Sequence, residues 1–130
     1  MSCPECGGEQ LAIPVPVDLR EYLRGDTPGV FVCRSCLAMR PADDPPAELP
    51  DLTSLDDALP SNPEAALPLV LLVGLLDSLA VNRSEITALL ERAERAGADP
   101  LLVVGRLGDS FGADAHVDLA SRRRQLEQLL

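Results

Sequence analysis

Apolar and polar positions alternate near the start of the chain. Every second residue between positions 11 and 17 is apolar, which is the period of an extended strand. Pro14 and Pro16 lie between the apolar positions, and proline cannot donate a hydrogen bond to a neighbouring strand. The pattern therefore predicts an edge strand or a polyproline-like segment, followed by a second strand over residues 29–32 and a continuation over residues 37–39.

A short helical segment is predicted between the first two strands. Asp18 has a side chain that suits a helix cap, and Gly25 has the backbone freedom that suits a helix end. We therefore expect a helical turn over residues 18–24.

After residue 63, apolar residues recur at the spacing of one helix face to the end of the chain. This pattern predicts helices over residues 67–81, 83–96, 100–107 and 115–129. The first is apolar nearly all round and is expected to be the buried centre. Asn82 and Glu85 have the spacing of a capping box at the start of the second helix, and Gly108 is expected to end the third. Four short helices with tight connections predict a helical bundle.

Residues 41–62 connect these two patterns. The stretch is rich in proline and acidic residues and has no basic residue, a composition typical of an extended, semi-rigid spacer. Leu49, Leu52, Leu55 and Leu59 recur every three or four positions, so we expect part of the connector to dock on a neighbour as a short helix.

Four cysteines form two identical pairs. Cys3 and Cys6 are separated by two residues, as are Cys33 and Cys36, and 26 residues lie between the pairs. Two intervening residues let the chain fold back so that both sulfurs point to one centre. Two such corners, brought together by paired strands, give the tetrahedral site that Zn²⁺ prefers, with Zn–S distances of about 2.3 Å.

The spacing favours a structural metal over a redox pair. A segment with so few large apolar residues cannot offset its backbone entropy, whereas a structural zinc site contributes about 10–16 kcal/mol. Because the protein supplies all four ligands, no coordination position is left for water. A redox pair is typical of a helix N-terminus after a strand, and no strand precedes Cys3. Structural Zn²⁺ is the only cofactor predicted, with iron as the alternative metal, and no residue is predicted to be catalytic.

These patterns together predict an α+β fold made of two modules. Residues 1–40 form a small β zinc ribbon, residues 41–62 form the acidic, proline-rich connector, and residues 63–130 form an all-α helical bundle.

Several stretches resemble a known group of proteins. They are CPECGG, VPVDLREYLRGD, VFVCRSC, LLVGLLDSLAVNRSEI and RRRQLEQLL, and together they resemble small haloarchaeal zinc-ribbon proteins of uncharacterised function. The resemblance spans most of the chain and implies Cys3, Cys6, Cys33 and Cys36 as metal ligands, but it implies no activity. Leu37 stands where a ribbon's second corner usually has glycine. Because a left-handed backbone costs a non-glycine residue about 1–2 kcal/mol, we expect that corner to be looser or differently turned.

Composition adds charge to this picture. The formal net charge is −10, the pI is about 4.4, and every basic residue is an arginine. Such a surface repels nucleic acid and anionic lipid. Arginine without lysine fits either a GC-rich genome or a cytoplasm at very high salt. We favour high salt, because the Debye length falls to about 3 Å at molar salt and the self-repulsion is then screened.

A cytoplasmic location is expected. No signal-peptide pattern precedes Cys3, and the longest apolar run, residues 65–76, is shorter than the roughly 20 residues that span a bilayer. In a reducing compartment, cysteines are more often metal ligands than disulfides.

The remaining chemically active residues have ordinary interpretations. His116, the single histidine, is expected to be solvated or to cap a helix. Ser110 and His116 could be combined with an aspartate into a triad, but their spacing gives it no support. The arginines at 122–124 splay around a helix, with Asp118 and Arg122 forming a favourable pair. A docking site for an acidic partner or nucleic acid is the alternative for this run.

If the ribbon has a nucleic-acid face, its arginines define it. Those that flank the cysteines are Arg20, Arg24, Arg34 and Arg40. Only Tyr22 and Phe31 are available nearby for base stacking.

The predicted function is that of a non-enzymatic adaptor with a structural zinc. Its protein partner is unknown, and the apolar first helix with its small Gly74 also suggests a homodimer through the C-terminal helices. The alternatives are a nucleic-acid-associated zinc-ribbon regulator, a thiol redox protein and a metal chaperone.

Overall fold

Three antiparallel strands form a small sheet near the N-terminus of the computed structural model, which describes residues 2–23, 25 and 27–130. The strands are β1 (Gln10–Pro14), β2 (Gly29–Cys33) and β3 (Met39–Ala42), in the spatial order β1-β2-β3. β1 is an edge strand, as its prolines predict, and Pro14 pairs with Gly29. The sheet and the helices that follow it confirm the α+β class.

The segment between β1 and β2 contains a helix shorter than predicted. This helix, α1 (Val17–Arg20), begins after Pro16, so Asp18 lies in its first turn and does not cap it. Two further turns follow, in which Tyr22 and Leu23 donate to the carbonyls of Leu19 and Arg20. The predicted helical residue Arg24 and the neighbouring Asp26 lie outside the described residues.

The C-terminal part contains the predicted helices with shifted bounds. They are α2 (Pro63–Leu75), α3 (Arg83–Arg95), α4 (Pro100–Phe111) and α5 (Leu119–Glu127). α2 begins earlier than predicted because the side chain of Asn62 accepts a hydrogen bond from the N–H of Glu64 and Pro63 suits a first helical turn. α4 and α5 are capped in the same way by Asp99 and Asp118.

α4 does not end at Gly108, which corrects the prediction. The helix continues to Phe111 and ends at Gly112, whose φ is 53°. A Cβ at Gly108 would lie 3.4 Å from the Cβ of Leu119. This glycine therefore lies where α4 packs on the start of α5, and its small size is used for packing.

The predicted capping box of α3 is also not formed. Asn82 precedes α3 as expected, but its side-chain amide donates to the carbonyl of Leu75 at 3.0 Å and makes no cap. Asn82 is buried, and its bond joins the start of α3 to the end of α2.

The acidic connector docks on the rest of the chain through a short helix, as the leucine spacing predicts. Residues Leu52–Ser54 form a 3₁₀ turn, and Leu52, Leu55 and Leu59 are buried, whereas Leu49 remains exposed. The side chain of Asp51 accepts from the N–H of Thr53 and begins the turn.

One hydrophobic cluster contains side chains from the sheet, the connector and the helices. α2 lies at its centre, and every residue from 65 to 75 is buried. A Cβ at Gly74 would lie 2.5 Å from the Cβ of Met39, so this glycine lets β3 approach α2 closely. The division at residues 40 and 62 into separate modules stays a prediction. Within the described residues, none of the helices is both long and apolar enough for a bilayer crossing.

Candidate metal centre

The first cysteine pair lies in a tight loop at residues 3–8. The N–H of Cys3 donates to the carbonyl of Gly8 at 2.8 Å, and the N–H of Gly7 donates back to the carbonyl of Cys3 at 2.7 Å. Gly7 has a φ of 77°, a left-handed conformation that glycine adopts without cost. Both cysteines of the pair are thereby held on one side of the loop.

The second pair repeats this loop at residues 33–38. The N–H of Cys33 donates to the carbonyl of Ala38 at 3.0 Å, and the N–H of Leu37 donates to the carbonyl of Cys33 at 2.9 Å. Leu37 has a φ of 67°, so the second corner has the same turn as the first. The expectation of a looser or differently turned second corner is therefore wrong. The buried side chain of Leu37 belongs to the hydrophobic cluster, and its burial offsets the backbone strain.

The sheet brings the two loops together. Gln10 of β1 is in register with Cys33 at the end of β2. One step further, the N–H of Arg34 donates to the carbonyl of Glu9 at 2.8 Å, and Glu9 also pairs with Ser2. The chain before β1 and the chain after β2 therefore run side by side.

All four sulfurs converge on one point. The Sγ atoms of Cys3, Cys6, Cys33 and Cys36 lie within 4.8 Å of one another. The Cys6–Cys33 and Cys3–Cys36 sulfur separations are 3.4 and 3.9 Å. A disulfide needs about 2.05 Å, whereas sulfurs about 2.3 Å from a tetrahedral ion are about 3.8 Å apart. The cluster can therefore hold a metal ion.

Gly8 creates part of the space for this cluster. A Cβ at this position would lie 2.5 Å from the Oγ of Ser35 and 3.0 Å from the Sγ of Cys33. The two loops can thus approach each other only because residue 8 has no side chain.

The environment of the sulfurs favours thiolates at some positions and thiols at others. Burial raises the pKa of Cys3, but the N–H groups of Cys6 and Glu5 lower it, and the net pKa is about 7. The N–H of Gly8 lowers the pKa of Cys6, yet the Cys33 thiol and burial raise it, with a net upward shift. Burial also raises the pKa of Cys36. A cation between the sulfurs would favour the ionised form of all four.

Access to the centre is uneven. Cys3, Cys33 and Cys36 are buried, whereas Cys6 is exposed. Solvent molecules therefore reach the cluster from the side of the first loop.

His116 joins the second loop to the helical part. The backbone N–H of His116 donates to the carbonyl of Cys36 at 2.8 Å, and its ring Nε2 lies 3.1 Å from the carbonyl of Val73 in α2. Burial lowers the pKa of His116. His116 is half-buried, and Asp118 is the residue that caps α5, so the expected solvated or capping role does not describe its main contacts. The sequence has no signal for these contacts because the partners are far away along the chain.

The residues of the suggested triad have separate partners. The Oγ of Ser110 donates to the carboxylate of Asp56 at 3.3 Å. Across the described part of the chain, no hydrogen bond joins Ser110 to His116.

The three consecutive arginines contact different elements, as expected for a splayed run. Arg122 donates to the carbonyl of Leu76, Arg123 to that of Leu101, and Arg124 to the Oγ of Ser121. The predicted Asp118–Arg122 pair is not formed, because Asp118 accepts from Ser121 at the start of α5.

The arginines near the cysteine loops are also dispersed. Arg34 donates to the carbonyl and hydroxyl of Ser54, and Arg20 donates to the carbonyl of Val15. Arg40 is exposed on β3, and Tyr22 packs against the core.

Comparisons with known proteins give one family match. A family model with the description "Family of unknown function (DUF6276)" matches residues 2–130. Neither a curated protein nor a solved structure matches the chain.

Proposed function

From the premise that this chain belongs to the DUF6276 family of unknown function, we propose that it is a non-enzymatic adaptor built on a structural Zn²⁺ site. The observation that carries the proposal is the convergence of four protein sulfurs within 4.8 Å of one another. An ion held by four cysteines has no coordination position for water or substrate, which is the arrangement of structural zinc sites.

The ion would be held by Cys3, Cys6, Cys33 and Cys36. Backbone N–H groups in both loops favour the thiolate that a metal ligand needs: those of Cys6 and Glu5 lower the pKa of Cys3, and the N–H of Ser35 donates to the Sγ of Cys33 at 3.3 Å. Zinc takes this role because it prefers four sulfurs in a tetrahedron. Its binding would fix the two loops and the strand pairing between them, leaving the exposed surfaces of a rigid molecule for protein recognition.

The protein-binding surface would lie outside α2. Because residues 65–75 are buried within the chain, a homodimer through the C-terminal helices would use exposed faces of the other helices. Val81 and Leu102 are exposed apolar side chains of the helical part, and such positions are common at the centres of interfaces.

The first experiment tests the metal. Full-length protein purified without chelator is expected to contain one equivalent of zinc by elemental analysis, with four sulfur neighbours by X-ray absorption. Absence of a stoichiometric metal would overturn the structural-zinc proposal.

The second experiment tests the adaptor role. Tagged zinc-loaded protein is cross-linked in native lysate, and captured proteins are identified by quantitative mass spectrometry. The matched control is the protein with Cys3→Ser and Cys33→Ser. A specific protein captured only by the zinc-loaded chain is expected, and equal capture by both would contradict the role proposed for the folded surface.

A thiol redox protein is the second candidate. The exposed Cys6 sulfur lies 3.4 Å from that of Cys33, so a small movement would bring the two sulfurs to the separation of a disulfide. Equilibration in glutathione redox buffers distinguishes the candidates. A redox protein would form a reversible Cys6–Cys33 disulfide without bound metal, whereas a structural site would keep its zinc.

We further propose that this family member is a haloarchaeal, cytoplasmic protein. The support is the net charge of −10 and the use of arginine alone as the basic residue. A reducing cytoplasm would also keep the four thiols available for zinc.

A further inference from the structure

A groove of about 510 Å³ runs along the surface between α4 and α5. Gly105, Gly108 and Ala120 contribute small residues to its wall, while Arg106, Arg123 and Arg124 supply the charged groups. Three of the 11 basic residues of the chain therefore line one groove.

The small residues of α4 shape this groove. A Cβ at Gly105 would lie 3.1 Å from the Nε of Arg123. The Arg123 side chain consequently crosses α4 at this point, where its Nε donates to the carbonyl of Leu101 at 3.0 Å. One guanidinium is thus held in a fixed position at the groove.

The guanidinium groups differ in their available hydrogen-bond donors. Arg123 forms an ion pair with Glu127 at 3.1 Å, and Arg124 donates to Ser121. The side chain of Arg106 has neither a hydrogen bond nor an ion pair with any other described residue. Donors of Arg106 and Arg124 are therefore available to a ligand.

The local charge is opposite to that of the whole molecule. Asp109 is the single acidic residue among the residues that line the groove, although the chain carries a net charge of −10. At molar salt, charges beyond about 3 Å are largely screened, so a ligand in the groove experiences mainly the arginines that it contacts directly. Leu102, which is 46% exposed, adds an apolar contact at the same groove.

We propose that this groove, which we call the α4–α5 groove, binds an acidic segment of a partner protein. The carboxylates of the segment pair with Arg106 and Arg124, and one of its apolar side chains packs on Leu102. This inference rests on the proposed adaptor function and specifies the partner's chemistry. A short segment suits the groove better than a nucleic acid, because a long polyanion extends over the acidic surface outside it.

The acidic connector of a second copy is a poorer occupant than a partner's segment. The connector's own Leu52, Leu55 and Leu59 are buried in the hydrophobic cluster of the same chain. They would have to leave that core before the connector could enter a groove on another molecule.

The experiment measures binding of a fluorescein-labelled, glutamate-rich peptide with one central leucine to the full, zinc-loaded chain by fluorescence anisotropy. The variant Arg106→Glu/Arg124→Glu reverses the two available charges and is expected to weaken binding about tenfold or more. Arg83→Glu is the control, because Arg83 is exposed at the start of α3, outside the groove. The control should bind the peptide within about twofold of the wild type.

A second variant separates charge from damage to the fold. Arg106→Ala/Arg124→Ala removes the same donors without adding acidic groups and should weaken binding by about threefold. Zinc content and thermal midpoint should stay at the wild-type values in all variants, because both arginines are exposed.

Three outcomes would overturn the proposal. They are equal weakening by Arg83→Glu, tighter binding of a single-stranded oligonucleotide than of the peptide, and a wild-type dimer in sedimentation that the groove variant dissociates. A partner that is still captured by the groove variant would remove this inference alone, whereas loss of zinc from the wild type would remove the proposed function.

Discussion

Leu37 adopts a left-handed backbone with a φ of 67° while its side chain is only 4% exposed. At this residue, the free-energy cost of the strained backbone opposes the stabilisation from the buried side chain. The backbone conformation costs about 1–2 kcal/mol, and removing a buried leucine side chain costs about 2–5 kcal/mol. The stabilisation from burial exceeds the cost of the strain, which explains how a leucine is accommodated at a corner where glycine is usual.

Substitutions at Leu37 should therefore show an unusual order. Leu37→Ala loses the burial and keeps the strain, whereas Leu37→Gly loses the burial and relieves the strain. We expect the alanine variant to be less stable than the glycine variant by about 1 kcal/mol. Urea denaturation of the zinc-loaded protein measures both. Leu59, equally buried without a positive φ, is the control, and there glycine should be the less stable variant.

Gly8 is the second residue whose substitution tests the centre. The Cβ of Gly8→Ala would collide with Ser35 and Cys33, and such overpacking costs about 1–3 kcal/mol. We expect zinc affinity to fall about tenfold, measured by competition with a chromophoric chelator. Adding Ser35→Gly removes one of the two collisions and should restore part of the affinity. An unchanged affinity of Gly8→Ala would show that the loops do not approach as closely as described.

At the scale of elements, Asn82 connects α2 to α3. Its side chain donates to the carbonyl of Leu75, and the residue is 4% exposed. Asn82→Ala should destabilise the protein by about 1–3 kcal/mol, because a buried carbonyl loses its donor. Asn82→Asp should be worse still, since a carboxylate cannot donate and is costly to bury. Thermal unfolding checks the order. A simple N-cap would accept aspartate without loss, so equal stability of Asn82→Asp and wild type would contradict the described bond.

Local sequence patterns predict some of these elements, whereas others depend on contacts between distant parts of the chain. The cysteine loops and the buried α2 follow from local spacing and hydrophobicity, because each pattern lies within a few turns of chain. The role of Gly108 depends on Leu119, and that of Asn82 depends on Leu75. Glycine can end a helix or admit a neighbouring helix, and asparagine can cap or donate elsewhere. Only the tertiary arrangement decides between these uses. The contact of His116 with Cys36 and Val73 has the same dependence.

At the scale of the whole molecule, excess acidic charge should make stability depend on salt. The chain has 21 acidic and 11 basic residues, and mutual repulsion of the acidic groups opposes a compact state. We expect the thermal midpoint of the zinc-loaded protein to rise with KCl up to about 1 M, where the Debye length is about 3 Å. Asp43→Asn/Asp44→Asn, at exposed connector positions, should reduce this rise. A flat or falling midpoint for the wild type would contradict the high-salt interpretation.

Metal removal tests whether the molecule unfolds as one unit or as two. His116 bonds to both Cys36 and Val73, and the sheet and α2 share one hydrophobic cluster. Loss of zinc should therefore open the strands and also weaken the helices, since about 10–16 kcal/mol of binding free energy is withdrawn from a common core. Hydrogen–deuterium exchange after chelation is expected to show faster exchange in β1–β3 and in α2. If α2 kept its protection while the strands lost theirs, the zinc loops and the helical part would be independent units, as a division at residues 40 and 62 implies.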